Sequence, residues 1–190
     1  NSGSSPLDAA RAAAASGIAV HTIVVGDTRP ERNVLVQLVE VPEEVLEGDE
    51  IDVTKFPAPR MWPLDGGKYL GTGTAVLTRD PESGRVNVGA YRQMIKSVNE
   101  IGLYTSPGKD GGLDRDKGFP MGKPMPVALC YGIDPTLFVV AATSFPKTES
   151  ELDYYGGITG TPMDVFISDV TGLPLPAGAE IILEGHCYPG

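Results

Sequence analysis

Residues 70–95 have the sequence LGTGTAVLTRDPESGRVNVGAYRQMI, and this stretch decides the fold. Two runs rich in apolar and β-branched residues, 70–78 and 86–95, each predict a β-strand. The segment between them, 79–84, places a proline and a glycine where a tight reversal of the chain needs them. We therefore expect a β-hairpin at this point.

Strand-like runs continue on the C-terminal side of the hairpin, at 101–105, 126–132, 163–167 and 180–183. Short helices are expected at 134–142 and at 149–155, the second one capped by Thr148 or Ser150. The 24 glycines and 17 prolines exclude long helices. The pattern predicts an α+β fold, mainly an antiparallel barrel or sandwich with peripheral short helices.

The first 42 residues predict a small helix-strand unit, with an Ala-rich helix at 6–16 and strands at 18–25 and 34–41. So short a unit cannot bury a core of its own. Residues 43–68 are predicted to connect it to the rest of the chain. Their acidic run, 40–52, favours a solvated linker or an edge strand over a metal site or a site for a basic partner.

Composition excludes several classes of function. The net charge of −10 repels nucleic acid and anionic membranes, so neither is expected as a partner. No apolar run is long enough to span a membrane. The two cysteines show no metal-ligand spacing, which predicts reduced thiols and a cytoplasmic location, and two histidines exclude a multi-histidine metal site.

Two segments carry candidate functional residues. Strand alternation places Asn87, Gly89 and Tyr91 on one face, and it places Arg92 on the other face with the apolar residues Val88 and Ala90. Arg92 therefore either meets an anion or is an exposed residue of an edge strand. The glycines of 106–112, together with Lys109, form either a phosphate cradle or a plain surface turn.

The strand at 180–186 places Glu180 and Glu184 on one face. These glutamates are either metal ligands, buried acids or residues of an exposed strand face. These patterns alone name no reaction.

Eight ordered motifs between about residues 44 and 190 resemble the UbiD-type decarboxylases. They are GDEID (48–52), FPAP (56–59), DGGKY (65–69), TRDP (78–81), NVGAYR (87–92), GKPMPVA (122–128), DP (134–135) and AEIILEG (179–185). The resemblance implies a reversible, non-oxidative carboxy-lyase of aromatic or α,β-unsaturated acids. It also implies prenylated FMN, a divalent metal (usually Mn²⁺), K⁺ or Na⁺, a flavin prenyltransferase that supplies the cofactor, and a homo-oligomer.

In the fold that the resemblance implies, residues 69–190 are a split β-barrel of the flavin-reductase type that binds the cofactor. The family's general acid is expected downstream of Glu184 and beyond residue 190, so this domain is expected to be incomplete and inactive by itself.

The resemblance also assigns roles to single residues. Asn87 and Glu184 match metal ligands; Ala90, Tyr91 and Arg92 match flavin contacts; and Arg92 also matches an arginine of the catalytic acid network. The family's third metal ligand, a histidine, falls in the loop that matches residues 107–110, and Lys109, Asp110 and Gly111 are expected to bind the cofactor. Either Asp110 replaces that histidine, or Lys109 holds the cofactor phosphate directly.

Residues 1–42 instead resemble the later part of a von Willebrand factor A domain. Two alternatives to the decarboxylase follow: a protein-binding or structural module with this start, and a flavin-binding split barrel without lyase activity.

Overall fold

The computed structural model describes residues 36–38, 45–71 and 73–188. Their ten strands form three sheets. The strands are β1 (Val36–Leu38), β2 (Tyr69–Gly71), β3 (Ala75–Arg79), β4 (Val86–Gly89), β5 (Arg92–Ile95), β6 (Ile101–Tyr104), β7 (Met125–Tyr131), β8 (Met163–Ile167), β9 (Pro174–Pro176) and β10 (Ile181–Cys187). The helices are α1 (Asp110–Gly118), α2 (Pro135–Ala142) and α3 (Glu151–Thr159), with 3₁₀ turns at Gly48–Glu50, Val53–Lys55 and Phe119–Met121.

The main sheet has the antiparallel order β10-β7-β3-β4, so β4 lies at one edge. A first small sheet has the order β2-β5-β6, and a second has the order β1-β8-β9. Alternation along the strands gives the main sheet two buried faces. Leu77, Val88 and Ile182 pack on one face against α2, α3 and the second small sheet. Val76 and Leu183 pack on the other, against Tyr91 and the first small sheet.

The predicted hairpin is present as β3 and β4, and Gly84 supplies the positive φ of 76° in its turn. Both predicted short helices also form. Asp134 caps α2 by accepting hydrogen bonds from the N–H groups of Thr136 and Leu137. Ser150 and Asp153 form a capping box at α3, so Ser150 is the cap rather than Thr148.

The predicted barrel is not confirmed, because the described strands form three open sheets and no closed barrel. Each long strand of the predicted hairpin divides in two. The register shifts at Gly71, and the chain leaves the main sheet after Gly89. As a result β2 and β5 pair in a different sheet from β3 and β4, and chains that change sheets at such bends make corners.

The segment predicted as a connector packs against the main fold. Ile51, Val53 and Phe56 are buried in the same cluster as Val76, while the charged side chains of Glu47, Asp49 and Glu50 are exposed. Strand β1, inside the predicted N-terminal unit, pairs in parallel with β8. The Ala-rich helix and the strand at 18–25 fall outside the described residues.

Both cysteines are free thiols, and burial raises the pKa of Cys130. No helix in the described ranges is long and apolar enough to cross a membrane.

Candidate functional site

An open pocket of about 710 Å³ lies along the outer edge of β4. Its floor is formed by β4 and the bend that follows it, and its walls are the loop before α1 and the segment that joins α2 to α3. The lining side chains that carry polar or charged groups are Asn87, Tyr91, Arg92, Tyr104, Ser106, Lys109, Asp110, Thr143, Ser144, Lys147 and Glu151. The pocket therefore holds cations and carboxylates side by side.

Strand β4 has no strand partner on its pocket side, so its N–H groups need other acceptors. A carboxylate oxygen of Glu151, Oε2, accepts a hydrogen bond from the N–H of Val88 at 2.8 Å. The carbonyl of Ala141, at the end of α2, accepts from the N–H of Ala90 at 3.2 Å. These two contacts fix the start of α3 and the end of α2 against the edge of the sheet.

Arg85 joins the two carboxylates of the pocket. Its guanidinium lies 3.0 Å from Asp110 Oδ2 and 2.9 Å from Glu151 Oε1, and its Nε donates to the carbonyl of Glu149 at 2.8 Å. The Glu151 side chain is only 5% exposed and that of Arg85 only 13% exposed. This ion-pair network brings the first turns of α1 and α3 together.

Three cationic side chains line the more open part of the pocket. Lys147 pairs with Asp110 Oδ1 at 2.8 Å, and the Nζ of Lys109 donates to the hydroxyl of Ser144 at 3.1 Å. Arg92 is exposed at the start of β5. Because these groups keep much of their hydration, an anionic ligand can pair with them at small desolvation cost.

A buried polar cluster lies beneath the pocket, between the main sheet and α1. Asn87 Nδ2 donates to Thr78 Oγ1 at 3.0 Å and to the Tyr91 hydroxyl at 3.3 Å. The Thr78 hydroxyl donates to Asp114 at 2.6 Å, and the N–H of Gly111 donates to the Tyr91 hydroxyl at 3.0 Å. Burial raises the pKa of Tyr91, so its hydroxyl stays protonated at neutral pH.

Comparison with known proteins places the chain in a family. Residues 34–190 match the UbiD family, described as the 3-octaprenyl-4-hydroxybenzoate carboxy-lyase Rift-related domain. The chain belongs to the UbiD family. The match begins at residue 34, ahead of residue 44, where the sequence resemblance was expected to begin.

Relatives of this UbiD-family chain include a pyrrole-2-carboxylic acid decarboxylase of Pseudomonas aeruginosa, 33% identical over 77% of the chain and 29% of the relative. An uncharacterized protein of Aquifex aeolicus is 36% identical over 79% of the chain and 30% of its own length. The chain thus spans about three tenths of the length of these curated relatives.

Solved structures give the same result. The UbiD-class enzyme HmfF from Pelotomaculum thermopropionicum, in complex with FMN, superposes with a TM-score of 0.70 at 27% identity, over 75% of this chain and 32% of that one. Vanillic acid decarboxylase of Sedimentibacter hydroxybenzoicus, in its closed form, has a TM-score of 0.64 at 33% identity, over 68% of this chain and 28% of that one.

The structure brings together most of the site residues predicted from the sequence. Asn87, Ala90, Tyr91, Arg92, Lys109 and Asp110 all line the pocket. Asn87 and Tyr91 share a face, as predicted, and their side chains are in contact. Arg92 does not share the buried face of Val88, because the chain bends at Ala90 and Arg92 starts a strand of another sheet.

The predicted metal pair, Asn87 and Glu184, is not brought together. Asn87 is in register with Thr78 on the second face of the main sheet, whereas Glu184 is in register with Ala128 and Leu77 on the first. The two residues also lie on the opposite edge strands, β4 and β10. Glu184 instead accepts a hydrogen bond from Thr171 at 2.7 Å, so a shared ion is not supported.

The predicted glycine turn ends earlier than expected. Gly111 and Gly112 are buried in the first turn of α1 and are not part of an open loop. A Cβ at Gly111 would lie 2.8 Å from the Tyr91 ring, so this glycine allows close packing of the helix on Tyr91. Its backbone N–H donates a hydrogen bond to the Tyr91 hydroxyl.

Glu151 and Arg85 are site residues that the sequence patterns do not predict. The sequence predicts an acidic first turn in α3, but the helix dipole alone accounts for acidic residues at that place. Nothing local indicates that Glu151 also binds the edge of β4, and Arg85 is one residue of an ordinary turn. Both roles depend on contacts between residues more than sixty positions apart.

Asp114 gives the protein a specific pH dependence. Burial raises the pKa of this carboxyl from 3.8 to about 6, although the hydrogen bond from Thr78 lowers it. The folded state therefore binds this proton more tightly than the unfolded chain, and the contribution of Asp114 to stability falls as pH rises from about 4 to about 6. In Asp114→Asn, the stability relative to wild type should rise by about 2 kcal/mol between about pH 4.5 and pH 8.

Urea denaturation at the two pH values measures this change. Comparing each variant with wild type at both pH values cancels any constant cost of the amide in the buried site. Asp116→Asn, on the same helix and 61% exposed, is the control and should show no such rise. An equal stability difference at both pH values for Asp114→Asn would contradict the prediction.

Proposed function

We propose that this chain is the cofactor-binding part of a prenylated-FMN-dependent enzyme that reversibly decarboxylates an aromatic or α,β-unsaturated carboxylic acid without net oxidation. Membership of the UbiD family supports the class of reaction. The names of two relatives, decarboxylases of pyrrole-2-carboxylic acid and of vanillic acid, support the kind of substrate. HmfF in complex with FMN or prenylated FMN supports the cofactor.

The observation that carries the proposal is the pocket beside β4. It gathers three cationic side chains, Arg92, Lys109 and Lys147, in a chain whose net charge is −10. Such a local excess of cations suits a ligand with a phosphate and a substrate with a carboxylate. Lys109 and Lys147 lie on the loops beside α1 and α3, which suits the phosphate, while Arg92 lies at the start of β5.

A divalent ion fits the oxygen donors of this pocket. No group of three or more His, Cys, Asp or Glu side chains in the described residues could hold a metal. Asn87, Asp110 and Glu151, however, line one pocket, and Arg85 holds the two carboxylates close to each other. Carboxylate and amide oxygens suit Mn²⁺ or Mg²⁺. We assign the ion to these three residues, with Glu151 in place of Glu184.

The residues of the chain bind and orient the reactants. Prenylated flavin, when bound, supplies the electron sink that the loss of CO₂ requires. Arg92 pairs with the substrate carboxylate or with the acid that protonates the product carbon, and Tyr91 forms a rigid wall beside it. Lys109 neutralises the cofactor phosphate. The proposal also includes a K⁺ or Na⁺ ion, a homo-oligomeric enzyme in the cytoplasm, and a flavin prenyltransferase that supplies the cofactor.

The test uses the chain produced together with a flavin prenyltransferase. Flavin absorbance that stays with the protein through gel filtration, and binding of Mn²⁺ measured from the free-ion EPR signal, are the expected results. Glu151→Gln should weaken Mn²⁺ and flavin retention at least about tenfold, because it removes a charged oxygen ligand. Circular dichroism confirms that the variant is folded.

Glu184→Gln is the matched control, because Glu184 lies on the other face of the sheet and should leave both ligands bound. Equal losses in the two variants would contradict the assignment of Glu151. Absence of bound flavin in the wild-type chain would contradict the proposed function. Flavin binding without CO₂ release from aryl or enoic acids is the result expected of this cofactor-binding part, and it is also what the alternative, a flavin-binding module without lyase activity, would give.

A further inference from the structure

The hydrogen bonds of the buried polar cluster beneath the pocket can be donated and accepted in only one arrangement. Thr78, Asn87 and Asp114 are 0%, 3% and 4% exposed, so each polar group needs a partner inside the protein. These partners connect α1 to the main sheet and end at the pocket, which Asn87 lines. Asp114 and Thr78 do not line the pocket themselves.

The direction follows from which groups can donate. An ionised carboxylate only accepts, so the Thr78 hydroxyl must give its single hydrogen to Asp114, 2.6 Å away. The Thr78 oxygen can then only accept from Asn87, and the group 3.0 Å from it must be the amide nitrogen. With its amide turned over, Asn87 would place a carbonyl oxygen against an oxygen that has no hydrogen left to donate.

Tyr91 agrees with this orientation. Its hydroxyl oxygen accepts the N–H of Gly111 at 3.0 Å and lies 3.3 Å from the same Asn87 nitrogen. Both hydrogens of the Asn87 amide thus point into the cluster. Its carbonyl oxygen, Oδ1, is left on the pocket side.

We propose that Asp114 and Thr78 are positioning residues that hold the Asn87 amide with Nδ2 toward the sheet and Oδ1 toward the pocket. Oδ1 is then presented as an acceptor or metal ligand before any ligand arrives. What Oδ1 meets rests on the proposed function, but the orientation of the amide does not. Asp114 does not line the pocket, and the hydrogen bonds that join it to Asn87 run through Thr78.

The experiment reads the Asn87 side-chain amide by NMR in the ¹⁵N-labelled chain, with its resonances assigned by their loss in Asn87→Asp. At pH 8 Asp114 is ionised, since the pKa is about 6. The amide hydrogens should exchange at least about tenfold more slowly than those of the exposed Asn99. Thr78→Val should abolish this protection and weaken Mn²⁺ binding about tenfold. Thr78→Ser, which keeps the hydroxyl, should restore both.

Each result decides the proposal. An unprotected Asn87 amide in the wild-type protein, or full protection in Thr78→Val, overturns it. Should Thr78→Val not fold, Thr78→Ala takes its place, and the wild-type and Thr78→Ser spectra still decide. Loss of protection in Thr78→Val in a chain that binds neither Mn²⁺ nor flavin would support the orientation and overturn the proposed function. If the chain binds Mn²⁺ and flavin but the protection of the Asn87 amide does not depend on Thr78, the proposed function is supported and the orientation is overturned.

Discussion

Replacing Arg85 with Met should lower the free energy of unfolding by about 3–5 kcal/mol, because the change leaves a buried carboxylate without its cation. The guanidinium binds Asp110, Glu151 and the carbonyl of Glu149. Asp110 keeps Lys147 as a partner, but Glu151 keeps only the N–H of Val88. Urea denaturation at neutral pH, with a chelator present, measures the loss.

The matched control is Arg115→Met. Arg115 pairs with Asp116, its neighbour in the sequence, and the two side chains are 39% and 61% exposed. Exposed pairs of this kind contribute at most about 1 kcal/mol. Equal effects of the two substitutions would show that the Arg85 network is not buried in solution.

The elements that the sequence predicts well are those with local causes. The turn with Pro81 and Gly84 defines the hairpin, and Asp134 and Ser150 define the starts of two helices through their own side chains. Strand β8 has the predicted bounds, 163–167. In each case the deciding contacts lie within four residues of each other.

Helix α1 and strand β9 have no such local cause. The sequence of α1, DGGLDRDKG, has three glycines and no apolar stripe, so propensity opposes a helix. The contacts of Gly111 with Tyr91 and of Asp114 with Thr78 compensate for this, and both cross from one element to another. Strand β9 contains two prolines and is tolerated because it lies at the edge of its sheet.

The same distinction explains the site. Alternation within one strand correctly groups Asn87 with Tyr91. It cannot relate a face of β4 to a face of β10, because that relation depends on the register of two intervening strands. Glu184 was therefore grouped with Asn87 by resemblance alone, while Glu151, which the fold brings to the pocket, was interpreted only as a helix-dipole residue.

Gly89→Ala should cost about 3 kcal/mol and open the pocket floor. Gly89 ends β4, and a Cβ there would lie 2.6 Å from the ring carbon Cε2 of Tyr91. Tyr91 is only 7% exposed, so its ring cannot move aside without disturbing its neighbours. Overpacking of this kind costs about 1–3 kcal/mol. Loss of the contacts of the Tyr91 hydroxyl with Gly111 and Asn87 adds about 1 kcal/mol each.

The comparison that isolates this effect is Gly157→Ala in α3. A Cβ at Gly157 meets nothing within 4 Å, so alanine there should stabilise the helix by up to about 1 kcal/mol. The two substitutions add the same methyl group and should change stability in opposite directions in urea denaturation. If Gly89→Ala is neutral, Tyr91 does not occupy this position in solution. The Tyr91 hydroxyl could not then hold the first turn of α1 or the Asn87 amide, and the pocket would lose the wall on which the proposed flavin site depends.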